Sequence, residues 1–336
     1  MRLLVMGGGI FVGRAILTAA IARGHEVTVF NRGRTRAEYP PGVVFIAGDR
    51  DGDLAALRAG GWDAVIDTCG YLPRQVRSLL DALGSDPGHY TFVSSVTAYA
   101  GLADVGTREE APLAAPPPGA TDQVTPQTYG PLKAACEAEA RRAPRRLIAR
   151  PGIVVGPGDP TGRFTYWARR VARGGDLLAP GGPAEPLQVI DVRDLAAWLV
   201  ARAEQGTTGV FNAVGPATLT WGEMLATCAG VAVAAPRITW VDGPFLQERG
   251  AGDWASVPLF LPPEKPEFRG MFRVDGAAAL RLGLALRPLR DTVADLLDWT
   301  REPGAAAAAQ PGLSAARESE LLEAWRAARG AAPPRP

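Results

Sequence analysis

Along the first half of the chain, short apolar runs alternate with stretches whose apolar positions recur every three to four residues. The runs fall at 3–6, 26–30, 43–47, 64–67, 90–94 and 146–150. Helical spacing fits 12–23, 51–59 and 73–83, the last with Val76, Leu79, Leu80 and Leu83 on one face. Strands alternating with helices predict an α/β fold, a Rossmann-type doubly wound parallel sheet covered on both faces. Residues 103–128, rich in Pro, Gly and Thr, predict a long loop, and loops of that length in compact folds are usually functional or mobile.

Past residue 150 the pattern is mixed. Gly/Pro-rich turns at 156–162 and 179–186 precede an expected strand at 187–190, a helix at 192–202 and a strand at 210–212. Helices are expected near 221–229, 275–282 and 289–301. Residues 303–312 read as a linker. After it, Ser314 is placed to cap a last helix carrying Leu321, Leu322 and Trp325 and ended by Gly330. Such a helix docks on the body or on a second subunit. The expected organisation is a dinucleotide-binding domain at 1–155, joined by 187–212, and a smaller substrate-binding lobe at 156–186 and 213–301. A linker and terminal helix follow at 302–336.

Composition narrows the class. The chain has 336 residues, 47% hydrophobic and 21% charged, with a formal net charge of +1 and no basic run. Nothing in it is built to neutralise a nucleic-acid backbone, so no nucleic-acid partner is expected. Cys69, Cys136 and Cys228 have unrelated spacings, and His25 and His89 are the only histidines. No disulfide framework and no metal site is expected. The start reaches glycines too early for a signal peptide, and no apolar run is long enough to cross a bilayer, so a cytoplasmic protein without a membrane partner is expected.

The chemistry begins at Gly7-Gly8-Gly9-Ile10-Phe11-Val12-Gly13, between a strand and a helix. There, free backbone N–H groups and the positive end of the helix dipole point at one spot, and glycine lets a pyrophosphate approach. The bland alternative is a flexible turn. The second run ends Phe30-Asn31-Arg32-Gly33-Arg34. Asn31 stands where an NAD site places a carboxylate on the adenosine ribose, and Arg32 and Arg34 are able to pair with a 2′-phosphate. This favours NADP(H), with NAD(H) as the alternative; solvated surface arginines are the plain reading. Asp49 is placed to accept from the adenine amino group, and Thr68, Cys69 and Gly70 to lie near the cofactor's middle.

Tyr129 and Lys133 lie four residues apart on one helical face, with Pro131 in the first turn where its missing N–H costs nothing. A nearby ammonium stabilises phenolate, fitting Tyr129 to exchange a proton with a substrate oxygen. The spacing alone is common by chance. Lys133 and Lys265, however, are the only lysines in an arginine-rich chain, and arginine would serve if charge were all that mattered. Ser95, after Phe92-Val93-Ser94, sits at the carboxyl edge of a strand; it either caps that end or donates to the substrate oxygen.

Together these residues resemble the extended short-chain dehydrogenase/reductase superfamily, which includes NAD(P)-dependent epimerases and dehydratases. The likeness spans about residues 1–301 and also takes in Arg150-Pro151, the 189–196 segment and Leu282-Gly283…Pro288-Leu289…Trp299. It implies Tyr129 as acid/base, Lys133 as its partner and ribose ligand, and Ser95 as donor to the substrate oxygen. It implies cofactor contacts from Gly7, Gly9, Ile10, Phe11, Val12, Gly13, Asp49, Arg50, Ser94, Pro151 and Ile153, and a homodimer. Tyr71, Ser95, Thr97, Phe164, Tyr166 and Trp167 are the candidate substrate walls, and for each aromatic taken singly a core or interface role is the equal alternative. The departures inform too. Ile10 replaces the middle glycine, Val96 and Thr97 stand where sugar dehydratases carry Asp-Glu, and Ile153, Val155 and Leu187 replace residues that hold nucleotide sugars. These point away from dehydration and from UDP- or TDP-sugars. The expectation is an NADP(H)-dependent oxidoreductase acting on a carbonyl or alcohol of a small non-nucleotide substrate. The alternatives are a redox-neutral epimerase or isomerase and a non-catalytic cofactor-sensing or RNA-binding relative.

Overall fold

A computed structural model describes the chain except residues 35–37, 59, 86, 118, 120, 262–264, 303–309 and 331–336, and Gly330 only in its backbone. The expected linker therefore lies mostly outside the described residues. In chain order the elements begin β1 (Arg2–Met6), α1 (Phe11–Ala22), β2 (Glu26–Asn31), β3 (Val43–Ala47), α2 (Ala55–Arg58), β4 (Ala64–Asp67), α3 (Pro73–Leu83) and β5 (His89–Val93). They continue α4 (Tyr129–Ala140), β6 (Arg146–Pro151), β7 (Ile153–Val155), α5 (Arg163–Ala172), β8 (Asp176–Pro180), β9 (Val189–Asp191), α6 (Val192–Glu204) and β10 (Gly209–Ala213). The last are α7 (Trp221–Ala232), β11 (Arg237–Val241), α8 (Gly243–Glu248), α9 (Ala277–Arg281), α10 (Leu289–Trp299) and α11 (Ala315–Gly330).

Two compact units emerge. The first comprises Met1–Val154, Val189–Pro216 and Gly270–Leu286; the second comprises Val155–Gln188, Ala217–Arg269 and Arg287–Pro336. In the first, seven strands pair in the order β10-β6-β5-β4-β1-β2-β3, every pair parallel. Strand β1 shows why the sheet needs helices on both faces. Its Leu3 and Val5 pack with Ile16, Leu17 and Ala20 of α1 and with Leu195 and Leu199 of α6. Its Leu4 and Met6 point the other way, into a layer with Val76 and Leu79 of α3 and Cys136 and Ala140 of α4. The Rossmann-type doubly wound sheet expected from the alternating runs is present. Strand order reverses at β1, which lies between β2 and β4, and open α/β sheets bind ligands at such a switch point.

The first unit also takes in α9 and Ala213–Pro216, which the sequence reading grouped with the other lobe. Asn212 is the tie: its Nδ2 donates to the carbonyls of Asp275 and Thr107, and its Oδ1 accepts from Tyr99 Oη at 2.7 Å. The loop before α4 is anchored by the same buried network. Arg150 donates to the Glu109 carbonyl and, through two nitrogens, to the fully buried Glu137 of α4.

The second unit pairs β8 with β11 in parallel and packs α5, α7, α10 and α11 around them. Helix α5 went unread in the sequence, although Phe164, Trp167, Ala168 and Val171 carry helical spacing and all are buried. The terminal helix docks within this unit. Leu321 and Leu322 are buried, Trp325 meets Phe245 edge-on at 5.0 Å between centroids, and Ser314 accepts from the Arg317 amide as a cap.

Candidate active site

The glycine turn leaves the carboxyl end of β1. Gly7 and Gly8 hold φ of +107° and +80°, a region that penalises any Cβ. Gly13 is required by contact: a Cβ there would lie 2.4 Å from the Gly8 nitrogen, so α1 presses directly on the turn. Among the described residues no side chain caps α1, which leaves its first-turn amides for a ligand. Phe11, at the mouth, has a φ of +41°, a strained setting for a residue with a side chain. Ile10 stands in the open at 53% exposure. The chain's own residues thus make a cradle of a kind that fits a dinucleotide pyrophosphate.

Neighbours brace the turn. Thr68 Oγ1 donates to the Met6 carbonyl at 2.7 Å, and Asn31 Nδ2 donates to the Gly7 carbonyl at 2.6 Å. Asn31 Oδ1 accepts from the Gly33 amide, so its side chain is spent on holding the backbone. Arg32 and Arg34 are exposed and make no ion pair among the described residues. Asp49 is exposed and accepts from the Asp51 amide.

Helix α4 begins at Tyr129 with Pro131 in its first turn, as the missing N–H requires. Lys133, one turn on, is 2% exposed and donates to the carbonyls of Gly70 (2.9 Å) and Val93 (2.8 Å). Its ammonium lies 5.0 Å from the Tyr71 ring centroid and 5.9 Å from that of Tyr129, and the two phenols are 6.4 Å apart by centroid. Burial pulls the ammonium below its ordinary pKa, against the pull of Cys136 and Asp67. Ser95 follows β5 and opens a 3₁₀ turn at Val96–Ala98. It accepts from the Thr97 amide and the Thr97 hydroxyl, which leaves its own proton to donate. Both proposed roles for Ser95, cap and donor, are compatible with that geometry. The structure therefore gathers Ser95, Thr97, Tyr129, Lys133 and Tyr71 around the carboxyl ends of β4 and β5.

Other expected contacts turn inward. Arg50 is 9% exposed and pairs with the fully buried Asp67 through both terminal nitrogens, at 2.8 and 3.0 Å, so it is occupied within the protein rather than turned toward a ligand. Ser94 Oγ donates to Glu137 at 2.6 Å inside the sheet–helix layer. Cys69 is partly buried, with its Sγ 3.2 Å from an Arg50 nitrogen. Gly70 has Phe92, Val76 and Asp67 crowding any Cβ. Pro151 ends β6, and Ile153 is buried. Phe164 and Trp167 are each 1% exposed, and Trp167 donates to the Pro258 carbonyl and meets Trp221 edge-on, so they are core of the second unit rather than open walls. Tyr166 packs on Gly312. Sequence reasoning missed the Asp67–Tyr90–Arg50 cluster, whose members come from β4, from its partner β5 and from the turn after β3, and become neighbours only in the assembled sheet.

No family model matches the chain. A chloroplast stem-loop binding protein of 41 kDa from Arabidopsis thaliana is 26% identical over 247 residues, 68% of this chain and 62% of that protein's length. A 2-alkyl-3-oxoalkanoate reductase from Stenotrophomonas maltophilia is 42% identical over 70 residues, 19% of this chain and 20% of the reductase. Among solved structures, human epimerase family protein SDR39U1 (isoform 2) with NADPH superposes with a TM-score of 0.61 at 21% identity, covering 89% of this chain and 99% of that one. The Thermus thermophilus UDP-glucose 4-epimerase with NAD gives 0.59 at 20% identity, covering 90% and 99%. The fold is that of the NAD(P)-dependent epimerases and short-chain dehydrogenase/reductases. Among the described residues no helix is long and apolar enough to cross a membrane, and no cluster suited to a metal ion occurs.

Proposed function

We propose that the chain is a nicotinamide-dependent enzyme of the extended short-chain dehydrogenase/reductase superfamily. Its finer activity, on this reading, is NADP(H)-dependent oxidation or reduction of a carbonyl or alcohol on a small non-nucleotide substrate. The observation that carries it is the placement of Lys133, buried on two main-chain carbonyls one helical turn below Tyr129. Two of its three N–H groups are used there, and the third is left for a ribose hydroxyl.

The turn at residues 7–9, on which Gly13 lets α1 close, would admit the pyrophosphate, and Arg32 and Arg34 would meet a 2′-phosphate. When bound, the nicotinamide gives or takes the hydride. Ser95 donates to the substrate oxygen and holds it for Tyr129, which passes the proton. Lys133 steadies the phenolate form. The short stretch of likeness to a reductase of an alkyl-bearing substrate supports an apolar small molecule.

The test is fluorescence titration with NADPH and NADH, followed by turnover on small carbonyls. Tyr129→Phe is expected to lower turnover on the order of a hundredfold or more with cofactor affinity nearly intact, whereas Lys133→Ala damages both. Wild-type turnover in Tyr129→Phe, or no binding of either dinucleotide, removes the proposal.

The epimerases among the structural neighbours favour a second reading, redox-neutral isomerisation at the same residues. Tightly held NAD⁺ with no net change in the reduced-nicotinamide band during turnover selects it. Likeness to a stem-loop binding protein raises RNA binding as the outcome to seek if dinucleotide titration is silent.

A further inference from the structure

The Arg50–Asp67 pair is an expensive feature to keep. Asp67 is fully buried and Arg50 nearly so, and Arg50 Nε has no hydrogen-bond partner among the described residues. Apolar replacements of such pairs are often as stable or more so, so stability alone is a weak reason for one to exist. Its location gives a better reason. Arg50 reaches from the turn after β3 to Asp67 at the end of β4, and also to the Gln75 carbonyl at 3.0 Å. Asp67 in turn accepts from the Cys69 amide at 3.1 Å and from Tyr90 Oη of β5 at 2.9 Å. The pair thereby fixes the turn 67–71 from three sides.

Gly70 lies in that turn, between two charges. A Cβ on Gly70 would lie 3.2 Å from Asp67 Oδ2, and the Gly70 carbonyl accepts from Lys133 Nζ at 2.9 Å. The Phe92 ring adjoins the same glycine, and the Lys133 ammonium stands 4.9 Å from its centroid. One residue therefore separates the Asp67 carboxylate from the Lys133 ammonium, and both side chains are buried.

We propose that Arg50 and Asp67 are positioning residues for Lys133: together they hold the carbonyl that seats the ammonium and balance the charge it experiences. The inference rests on Lys133 being the partner of Tyr129, and it places Arg50 behind the site instead of on the cofactor. The groups facing Lys133 are Asp67 and Cys69 from the β4 turn, Arg50 from the β3 turn, Tyr71 ahead of α3, and Tyr129 and Cys136 on α4 itself. Asp67 favours the ammonium and Arg50 opposes it, so removing either moves Lys133 in opposite directions.

The chain makes this directly measurable, because Lys133 and the exposed Lys265 are its only lysines. Protein labelled with ¹³C-lysine gives two side-chain Cε signals to follow against pH, with Lys265 as internal reference and no cofactor present. The expected result is a Lys133 midpoint moved to lower pH in Asp67→Asn, to higher pH in Arg50→Gln, and back near wild type in the double variant. A merely structural role predicts otherwise: loosening admits water and moves Lys133 upward, toward Lys265, in all three.

Asp67→Asn leaves a buried guanidinium without its counter-charge. Should it not fold, the comparison of Arg50→Gln with the double variant decides. A double variant titrating below Arg50→Gln supports the proposal; one titrating level with or above it overturns the proposal. Because no turnover is involved, failure here leaves the Tyr129 reading standing, and failure of the Tyr129→Phe test leaves the Lys133 titration interpretable.

Discussion

Gly130 lies against the carbonyl of Thr97 so closely that a Cβ on it would fall 2.2 Å from the oxygen. This contact sets the start of α4 on the 3₁₀ turn that follows Ser95. It explains why the residue after Tyr129 has no side chain. Two catalytic candidates on separate elements, Ser95 after β5 and Tyr129 on α4, are brought together by a glycine that neither would identify.

Gly130→Ala must push α4 away from Val96–Ala98. Overpacking of this kind costs about 1–3 kcal/mol, read as a lower denaturant midpoint. Turnover is expected to fall more than stability accounts for, since Tyr129 is displaced from Ser95, with dinucleotide affinity less affected. Unchanged turnover in a folded Gly130→Ala protein would separate this contact from catalysis.

What the sequence discloses and what it hides follow from physics. Strand β1 was legible because a strand covered on both faces must be apolar at every position, as Leu3, Leu4, Val5 and Met6 are. Tyr129 and Lys133 were legible because helical spacing is local and lysine is rare here. Arg50 was not: it follows a strand end next to Asp49, and only the assembled sheet, in which β1 and β2 stand between β3 and β4, decides that one faces solvent and the other Asp67. Strand β8 was hidden by its neighbours, since Gly174-Gly175 precede it and Pro180 ends it inside a stretch that reads as a Gly/Pro-rich turn. Phe164 and Trp167 read as pocket walls because aromatic residues mark pockets and cores alike.

Arg32 and Arg34 lie just past β2, exposed and without ion-pair partners among the described residues, while Asn31 is held by the turn itself. If they meet a 2′-phosphate, Arg32→Ala/Arg34→Ala weakens NADPH binding on the order of tenfold to a hundredfold, the worth of one or two charge-assisted bonds. NADH binding changes little. Parallel titrations of both dinucleotides check this, and equal losses for the two would assign the arginines a role away from the ribose.

His89 connects fold stability to pH. Its Nε2 lies 2.7 Å from the Thr207 carbonyl, which only accepts, so that nitrogen carries the proton; Nδ1 faces Thr91 Oγ1. Burial holds the imidazole below its ordinary pKa, more than the bond to Thr207 raises it. The unfolded chain therefore binds the proton more readily than the folded one. The stability tied to neutral His89 is complete above the unfolded value of about 6.5 and is lost as pH falls from there toward the folded value. His89→Gln should flatten the dependence of Tm on pH in that interval. Parallel curves for the two proteins would rule out His89 as the source.

The terminal helix tests how far the second unit depends on its last residues. Glu318, 4% exposed on α11, accepts from Arg170 Nε with both oxygens, at 2.9 and 2.6 Å, and from the Leu178 amide of β8 at 3.0 Å. Arg170 spends its other nitrogens on the carbonyls of Gly174 and Asp176. Helix, strand and tail therefore meet on one buried ion pair, while Leu321 and Leu322 add apolar contact beside it. Breaking a buried pair from one side leaves a charge without its partner, at about 3–5 kcal/mol. Glu318→Ala should lose that much in chemical denaturation, and Arg170→Met/Glu318→Leu, which removes both charges, should lose less. A loss below about 1 kcal/mol for Glu318→Ala, the range of solvent-exposed pairs, would mean that α11 leaves its place often enough for water to reach Arg170.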